Sequence, residues 1–284
     1  MNKEVEILYS RQAELFEMSP VQLMNLFFID IALNGNHIPL LFDTGGTITL
    51  LSESIAERYH LSSLYDSVKA GGNSGIINTF SMALLPRFSI GNHTIVNAKA
   101  IIVPDKHLDF GLDEKGKPLK INGVLGWDLI RQFKWVIDPF NRSYQIEKPK
   151  FLENKKQLYW DNMPIISGEY LNQNMFFGFD SGNTESMFSR EFIPYLESKI
   201  EKSDKIVGID GVREEMVYLA KHILLRIAGQ EIELKDISVL ESNIFPTKDF
   251  TVMGLLGADI IQNHRCIIDF VNHNFQLVSS DCVI

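Results

Sequence analysis

Cysteine is scarce in this chain: 2 of 284 residues, Cys266 and Cys282, with no Cys-x-x-Cys spacing and no histidine pattern beside them. A disulfide scaffold and a cysteine-ligated metal site are excluded, and both are read as reduced structural thiols. Positive charge is also in short supply. Lys and Arg number 27 against 36 Asp and Glu, a formal charge of −9, and no basic run is dense enough to neutralise a row of phosphates. Nucleic acid is therefore not an expected partner. Apolar runs stop short of the roughly 18 residues of a membrane span. Met1 to Pro20 carries Glu4, Glu6, Glu14 and Glu17 where a secretory leader needs a basic then an apolar stretch. The expectation is a cytoplasmic protein with no membrane association. The 7 histidines form no metal-binding spacing, so no metal is expected. Gly71-Gly72-Asn73-Ser74-Gly75 lacks the Lys-Ser/Thr that a phosphate loop requires, and no cofactor is expected. What remains, 45% hydrophobic and 22% charged, is the composition of a folded globular chain.

What is present is an internal repeat. Leu41-Phe42-Asp43-Thr44-Gly45-Gly46-Thr47 returns as Gly178-Phe179-Asp180-Ser181-Gly182-Asn183-Thr184, and at the same offset of 137 Ser52 maps onto Ser189, Ile90 onto Ile227 and Ile95 onto Ile232. Gly123-Val-Leu-Gly126-Trp-Asp128 with Val136-Ile137-Asp138 returns as Gly254-Leu-Leu-Gly257-Ala-Asp259 with Ile267-Ile268-Asp269, at an offset of 131. The six-residue difference falls in the polar stretch Pro104 to Asn122. The chain is read as two copies of one unit, residues 1–150 and 151–284.

Each copy reads as mostly strand. Asn25 to Leu33 is rich in Phe and Ile, Asn34-Gly35 is a type I′ hairpin signal, and Ile38 to Phe42 leads apolar into Asp43. Val68 to Phe80 around the Gly71-Gly72 turn predicts a second hairpin, and Lys205 to Val217 around Asp210-Gly211 its twin. Helices are few and short: Ser52 and Ser189 are N-cap candidates before Glu53 to Tyr59 and Arg190 to Ile200, and Asp128 and Asp259 are read as capping short helical turns. Lys148 to Asn162, charged and without periodicity, is read as the linker. The Val5-Glu6-Ile7 and Tyr9 alternation favours a strand in residues 1–22, whose role the sequence leaves open.

An apolar strand ending in Asp-Thr/Ser-Gly, followed in the same unit by apolar-Gly-apolar-apolar-Gly, resembles the aspartic proteases; the repeat makes the chain look like a single-chain, two-lobed member with retropepsin-like lobes. The resemblance implies an all-β acid-protease-like fold, catalysis by Asp43 and Asp180, and a peptide or unfolded protein segment as substrate. It implies that Thr44 and Ser181 reach across to the opposite lobe, and that hairpins carrying Gly71, Gly72, Asp210 and Gly211 act as flaps. One lobe supplies each Asp, so a monomer suffices. The chemistry agrees: hydrolysis without metal or covalent nucleophile needs an activated water and a proton for the leaving nitrogen, and two carboxylates sharing one proton supply both. Gly45 and Gly182 let the backbone turn its N–H groups toward the carboxylate.

Gly46 and Asn183 follow the motifs where the family has Ala, Ser or Thr, which leaves a non-catalytic peptide-binding module as the alternative. Gly46 has no side-chain donor and Asn183 has one, so Asp43 is expected to be the harder of the two to ionise. The motif looks superficially like the Asp-x-Asp-Gly-Thr loop of phosphatases, but Gly45 stands where the second Asp is needed. A glycosidase carboxylate pair has no use for the glycine pattern. Asp138 and Asp269 are assigned to turns after strands, and Trp127 and Trp135 to the core.

Overall fold

The computed structural model describes residues 4–21, 23–72, 76–112, 116, 118–152, 158–160, 162–208, 211–242 and 251–279. Among these the chain is mostly strand, and no helical segment exceeds six residues. Each lobe is built on an eight-stranded sheet, and a five-stranded sheet joins strands of both lobes.

In the N-terminal lobe the strand Asn36–Phe42 alternates inward apolar side chains and hairpins with Phe28–Leu33 through Asn34 and Gly35, whose φ angles of 51° and 79° are those a two-residue I′ turn demands. Gly123–Leu125 then slots between Asn36–Phe42, which it pairs in parallel, and Leu50–Ser52, which it pairs antiparallel. The C-terminal lobe repeats this: Val252–Leu256 lies between Gln173–Phe179 and Met187–Phe188. The squeeze explains the glycines of the second motif, because a Cβ on Gly123 would strike the Leu50 carbonyl and one on Gly254 the Met187 carbonyl.

The lobes meet at Lys134–Asp138 and His264–Asp269. Val136 pairs there with Ile267, its own counterpart in the repeat, so the pseudo-two-fold axis passes between these two residues. One apolar cluster runs through the junction, from Phe42, Trp127 and Trp135 to Phe179, Cys266 and Phe275. Residues 4–21 are strand where the alternation pointed to it: Glu6–Leu8 extends the N-terminal sheet beside His93–Val103, and Leu15–Glu17 edges the junction sheet beside Ser143–Glu147.

Ser52 caps Glu53–Arg58 through a bond from the Ile55 N–H, as its position suggested. Its counterpart differs. Arg190–Tyr195 is a 3-10 turn followed by extended backbone at Leu196, shorter than the helix expected to Ile200, and Pro194 within it removes a donor. The Ser189 hydroxyl does not cap that turn; it donates to the carbonyls of Val252 and Met253. Within the expected linker, Leu158–Trp160 pairs with Pro164–Tyr170 as an edge strand.

Candidate active site

Parallel pairing continues one residue past each central strand: the Asp43 N–H donates to Leu125 O at 3.1 Å and the Asp180 N–H to Leu256 O at 2.9 Å. The two aspartates thereby leave equivalent strands at equivalent heights, and their carboxyl groups come into hydrogen-bond contact across the lobe junction. Gly45 and Gly182 sit against them for a reason beyond turning the chain. A Cβ on Gly45 would overlap the carboxyl of Asp180, and one on Gly182 the carboxyl of Asp43, so each lobe keeps a position bare for the other lobe's acid.

Behind the pair, Thr44 and Ser181 grip each other reciprocally. The Thr44 hydroxyl donates to Phe179 O at 2.6 Å and accepts from the Ser181 N–H at 3.0 Å; the Ser181 hydroxyl donates to Phe42 O at 2.8 Å and accepts from the Thr44 N–H at 3.1 Å. All four groups are buried, so each bond lost would strand a polar atom away from water. A second reciprocal contact lies further out: Asn25 Nδ2 donates to Thr184 O at 2.7 Å, and the Thr47 hydroxyl donates to Asn162 O at 3.2 Å.

Asp128 and Asp259 do not cap the turns they open. Asp128 Oδ1 accepts both the N–H and the hydroxyl of Thr49, each at 2.9 Å, and that hydroxyl accepts from the Gly126 N–H. Asp259 holds Ser186 with both oxygens, Oδ2 accepting the N–H and Oδ1 the hydroxyl, each at 2.8 Å, with Gly257 donating to the Ser186 hydroxyl. The glycines at 126 and 257 occupy the capping positions instead. Each acid thus ties the loop after its lobe's Asp-Thr/Ser-Gly motif to the turn that follows the crossing strand. Burial pushes Asp128 up to about 6, against the Thr49 bonds that favour its anion, and Asp259 moves the same way.

Asp43 and Asp180 are both raised by burial. Asp180 is raised well above the ordinary carboxylate range because the charge on Asp43 adds to the burial; main-chain donors moderate the rise of both acids, and at Asp43 no such charge opposes them. Asp43 Oδ1 accepts the N–H groups of Gly45 and Gly46, both at 2.8 Å, while Asp180 Oδ1 accepts Gly182 at 3.1 Å. This reverses the order expected from side chains alone. Gly46 donates after all, through its backbone, and the Asn183 Nδ2 is buried with no partner instead of bonding the acid. The donors therefore favour the anion on Asp43 and the shared proton on Asp180.

The acids open into a cavity of about 470 Å³ that is also lined by Val68 to Gly72 of the first glycine hairpin. A neighbouring cavity of about 420 Å³ shares the Gly182–Asn183 wall and is lined by Asp204 to Ile206 of the second hairpin. Gly211 opens the returning strand of that hairpin opposite Gly208, and Asp210 lies outside the described residues. Thr49, Ser186, Asn25 and Asn162 went unnoticed in the sequence. The signal was there, since each pair keeps the 137-residue offset, but hydroxyl and amide side chains are too common for one such match to stand out.

A two-lobed all-β fold with a coupled aspartate pair at the lobe junction defines a class, and the comparisons agree on it. The family model of aspartyl proteases matches residues 29–129. The aspartic proteinase of Irpex lacteus aligns over 95% of this chain and 98% of its own with a TM-score of 0.56, at 13% identity. No curated protein sequence matches the chain significantly. The fold is that of a two-lobed aspartic protease.

Proposed function

We propose that the protein is an aspartic endopeptidase, acting as a monomer on peptides or unfolded protein segments. The observation that carries this reading is the pair of touching, buried carboxyls, one accepting two main-chain N–H groups at 2.8 Å and the other raised further by its neighbour's charge. A water bound between them would lose a proton to Asp43 as its oxygen attacks the scissile carbonyl carbon, while Asp180 passes its proton to the carbonyl oxygen. The tetrahedral diol then collapses: the C–N bond breaks, the leaving nitrogen takes the proton from Asp43, and Asp180 recovers one from a diol hydroxyl. The dyad ends as it began. An extended substrate would add its backbone to the hairpin edges as a strand joins a sheet, with alternate side chains entering the two cavities.

The test is incubation with a diverse peptide pool and mass-spectrometric reading of new termini. Asp43→Asn and Asp180→Asn are each expected to abolish cleavage while leaving the fold intact, and the double variant to lose no more than either single one, since the two act as a unit. Near wild-type turnover in either single variant would overturn the assignment.

A further inference from the structure

The chain is acidic as a whole, yet its cations gather in one place. Residues 148–156 carry Lys148, Lys150, Lys155 and Lys156 against Glu153, and no other nine consecutive residues hold as many Lys and Arg. The described part of this stretch, residues 148–152, also presents the two most exposed large apolar side chains among the described residues, Phe151 at 77% and Leu152 at 80%. A freely moving segment would fold such a pair onto the nearest apolar surface. Here the backbone on either side of Phe151 is pinned. The Lys150 carbonyl accepts from Asn272 Nδ2 at 2.8 Å, and the Leu152 N–H donates to Asn272 Oδ1 at 2.7 Å. Asn272 is buried and is itself fixed, its Nδ2 donating to Asp269 Oδ2 at 2.6 Å. The turn after His264–Asp269 thus holds both apolar side chains out in solvent.

The same stretch borders a cavity of about 400 Å³, where Lys148 and Pro149 meet Tyr9, Gln132, Phe270 and Val271. It shares no lining residue with either cavity at the dyad. Its walls are largely apolar and its rim is cationic. The Lys148 ammonium stands 5.3 Å from the centre of the Tyr9 ring, which keeps it at that rim. Arg131 also lines the cavity, but its charge is drawn on by Asp128 and is left out of the count. Lys148 and Lys150 have no ion-pair partner among the described residues, and the nearest acid in sequence, Glu147, is taken by Lys134 at 3.2 Å. No carboxylate of the described residues lines the cavity.

We propose that residues 148–152 and the 270–272 turn form a docking surface for an acidic segment of a partner protein. One aromatic or aliphatic side chain of that segment enters the cavity, its carboxylates meet Lys148 and Lys150, and Phe151 and Leu152 pack against its apolar face. A bilayer is the poorer match, because a concave cavity gives it nothing to bury and a chain of formal charge −9 is repelled by an anionic surface. Docking requires neither Asp43 nor Asp180, so this surface stands whether or not the peptidase reading does.

The test selects a displayed library of random peptides on the full-length Asp43→Asn protein, which cannot cut them. Counter-selection on the same protein carrying Lys148→Glu, Lys150→Glu, Phe151→Ser and Leu152→Ser discards whatever binds the cleft. The surviving sequences are expected to combine Asp or Glu with an aromatic or aliphatic residue. Titration of these peptides should show a loss of about tenfold in Lys148→Glu with Lys150→Glu, the scale of two exposed ion pairs, and a similar loss in Phe151→Ser with Leu152→Ser. All four side chains are at the surface, and near-UV circular dichroism should be the same in every variant. No surviving sequence, survivors without an acidic excess, or survivors indifferent to the lysine reversal would overturn the proposal. So would sedimentation of the protein with phosphatidylserine vesicles that is lost in Phe151→Ser with Leu152→Ser, which assigns the surface to a membrane, or a dimer that the same pair of substitutions dissociates, which assigns it to a second copy.

Discussion

Asp128 offers the sharpest quantitative test of how the loops behind the dyad are held. Its carboxyl is pushed to about 6 by burial although it accepts two bonds from Thr49. A carboxyl raised above its unfolded value stabilises the fold fully at pH below that unfolded value, and the contribution is lost as pH rises through the folded one. Here the window runs from 3.8 to about 6. Two pKa units and a little more, at about 1.4 kcal/mol each, give roughly 3 kcal/mol, an upper figure because solvent reaches part of the side chain. Asp128→Asn keeps an Oδ1 that can accept from both Thr49 groups and removes the cost of burying a charge.

The variant should therefore match the wild type near pH 4 and exceed its stability above pH 7 by about 1–3 kcal/mol. Thermal unfolding followed by near-UV circular dichroism at a series of pH values reads this directly, at roughly 2–4 °C per kcal/mol for a chain of this size. A variant less stable than wild type at neutral pH would show that the anion is needed to hold Thr49. A difference between the two that does not change with pH would show that Asp128 titrates normally and that its burial costs nothing.

Two further outcomes follow from the dyad and its support. The pH profile of hydrolysis should be bell-shaped and displaced upward from the ordinary carboxylate range, because both acids are raised: activity falls below the pKa of Asp43 and above that of Asp180. Gly46→Ser brings a hydroxyl to Asp43, whose Oδ2 would lie 3.1 Å from the new Cβ, and should move the acid limb down; Asn183→Ala should leave both limbs in place, and a clear shift there would refute the order of ionisation derived above. Thr44→Val removes a buried hydroxyl that makes two bonds, to Phe179 O and from the Ser181 N–H, and should cost about 2–5 kcal/mol in urea unfolding, while Thr44→Ser recovers most of it.

The repeat, the strands on either side of each Asp, the Asn34-Gly35 turn and the Ser52 cap were all legible because each is a local preference that tertiary packing reinforces. Trp127 and Trp135 were placed in the core on size alone, and both are buried there. What sequence could not reveal depends on approach between distant segments. Asp128 and Asp259 each stand two residues past the capping glycine, and their carboxylates take Thr49 and Ser186, folded back against them, as partners. Ser189 likewise spends its hydroxyl on a crossing strand. Arg190 to Ile200 has helical composition, yet Pro194 and the packing of Phe192 end it after a single short segment.

The order of ionisation within the dyad has the same origin. Two identical carboxyls in a symmetric frame would have equal affinity for the shared proton, and the difference at Gly46 and Asn183 is the natural place to look for what breaks the tie. The side chains do not break it. The buried Asn183 Nδ2 bonds neither acid, and the donors in reach are main-chain N–H groups, two at 2.8 Å on Asp43 against one at 3.1 Å on Asp180. Every residue but proline carries such a donor, so the loop path sets the polarity of the pair, and the path is held by Thr49 on Asp128 and Ser186 on Asp259. Exchanging the two side chains, with Asn at 46 and Gly at 183, should therefore leave Asp43 as the base. Carbon-13 detection of the two carboxyls across the titration would decide it: a proton that moves to Asp43 in the exchanged protein would place the control in the side chains, and one that stays on Asp180 places it in the backbone.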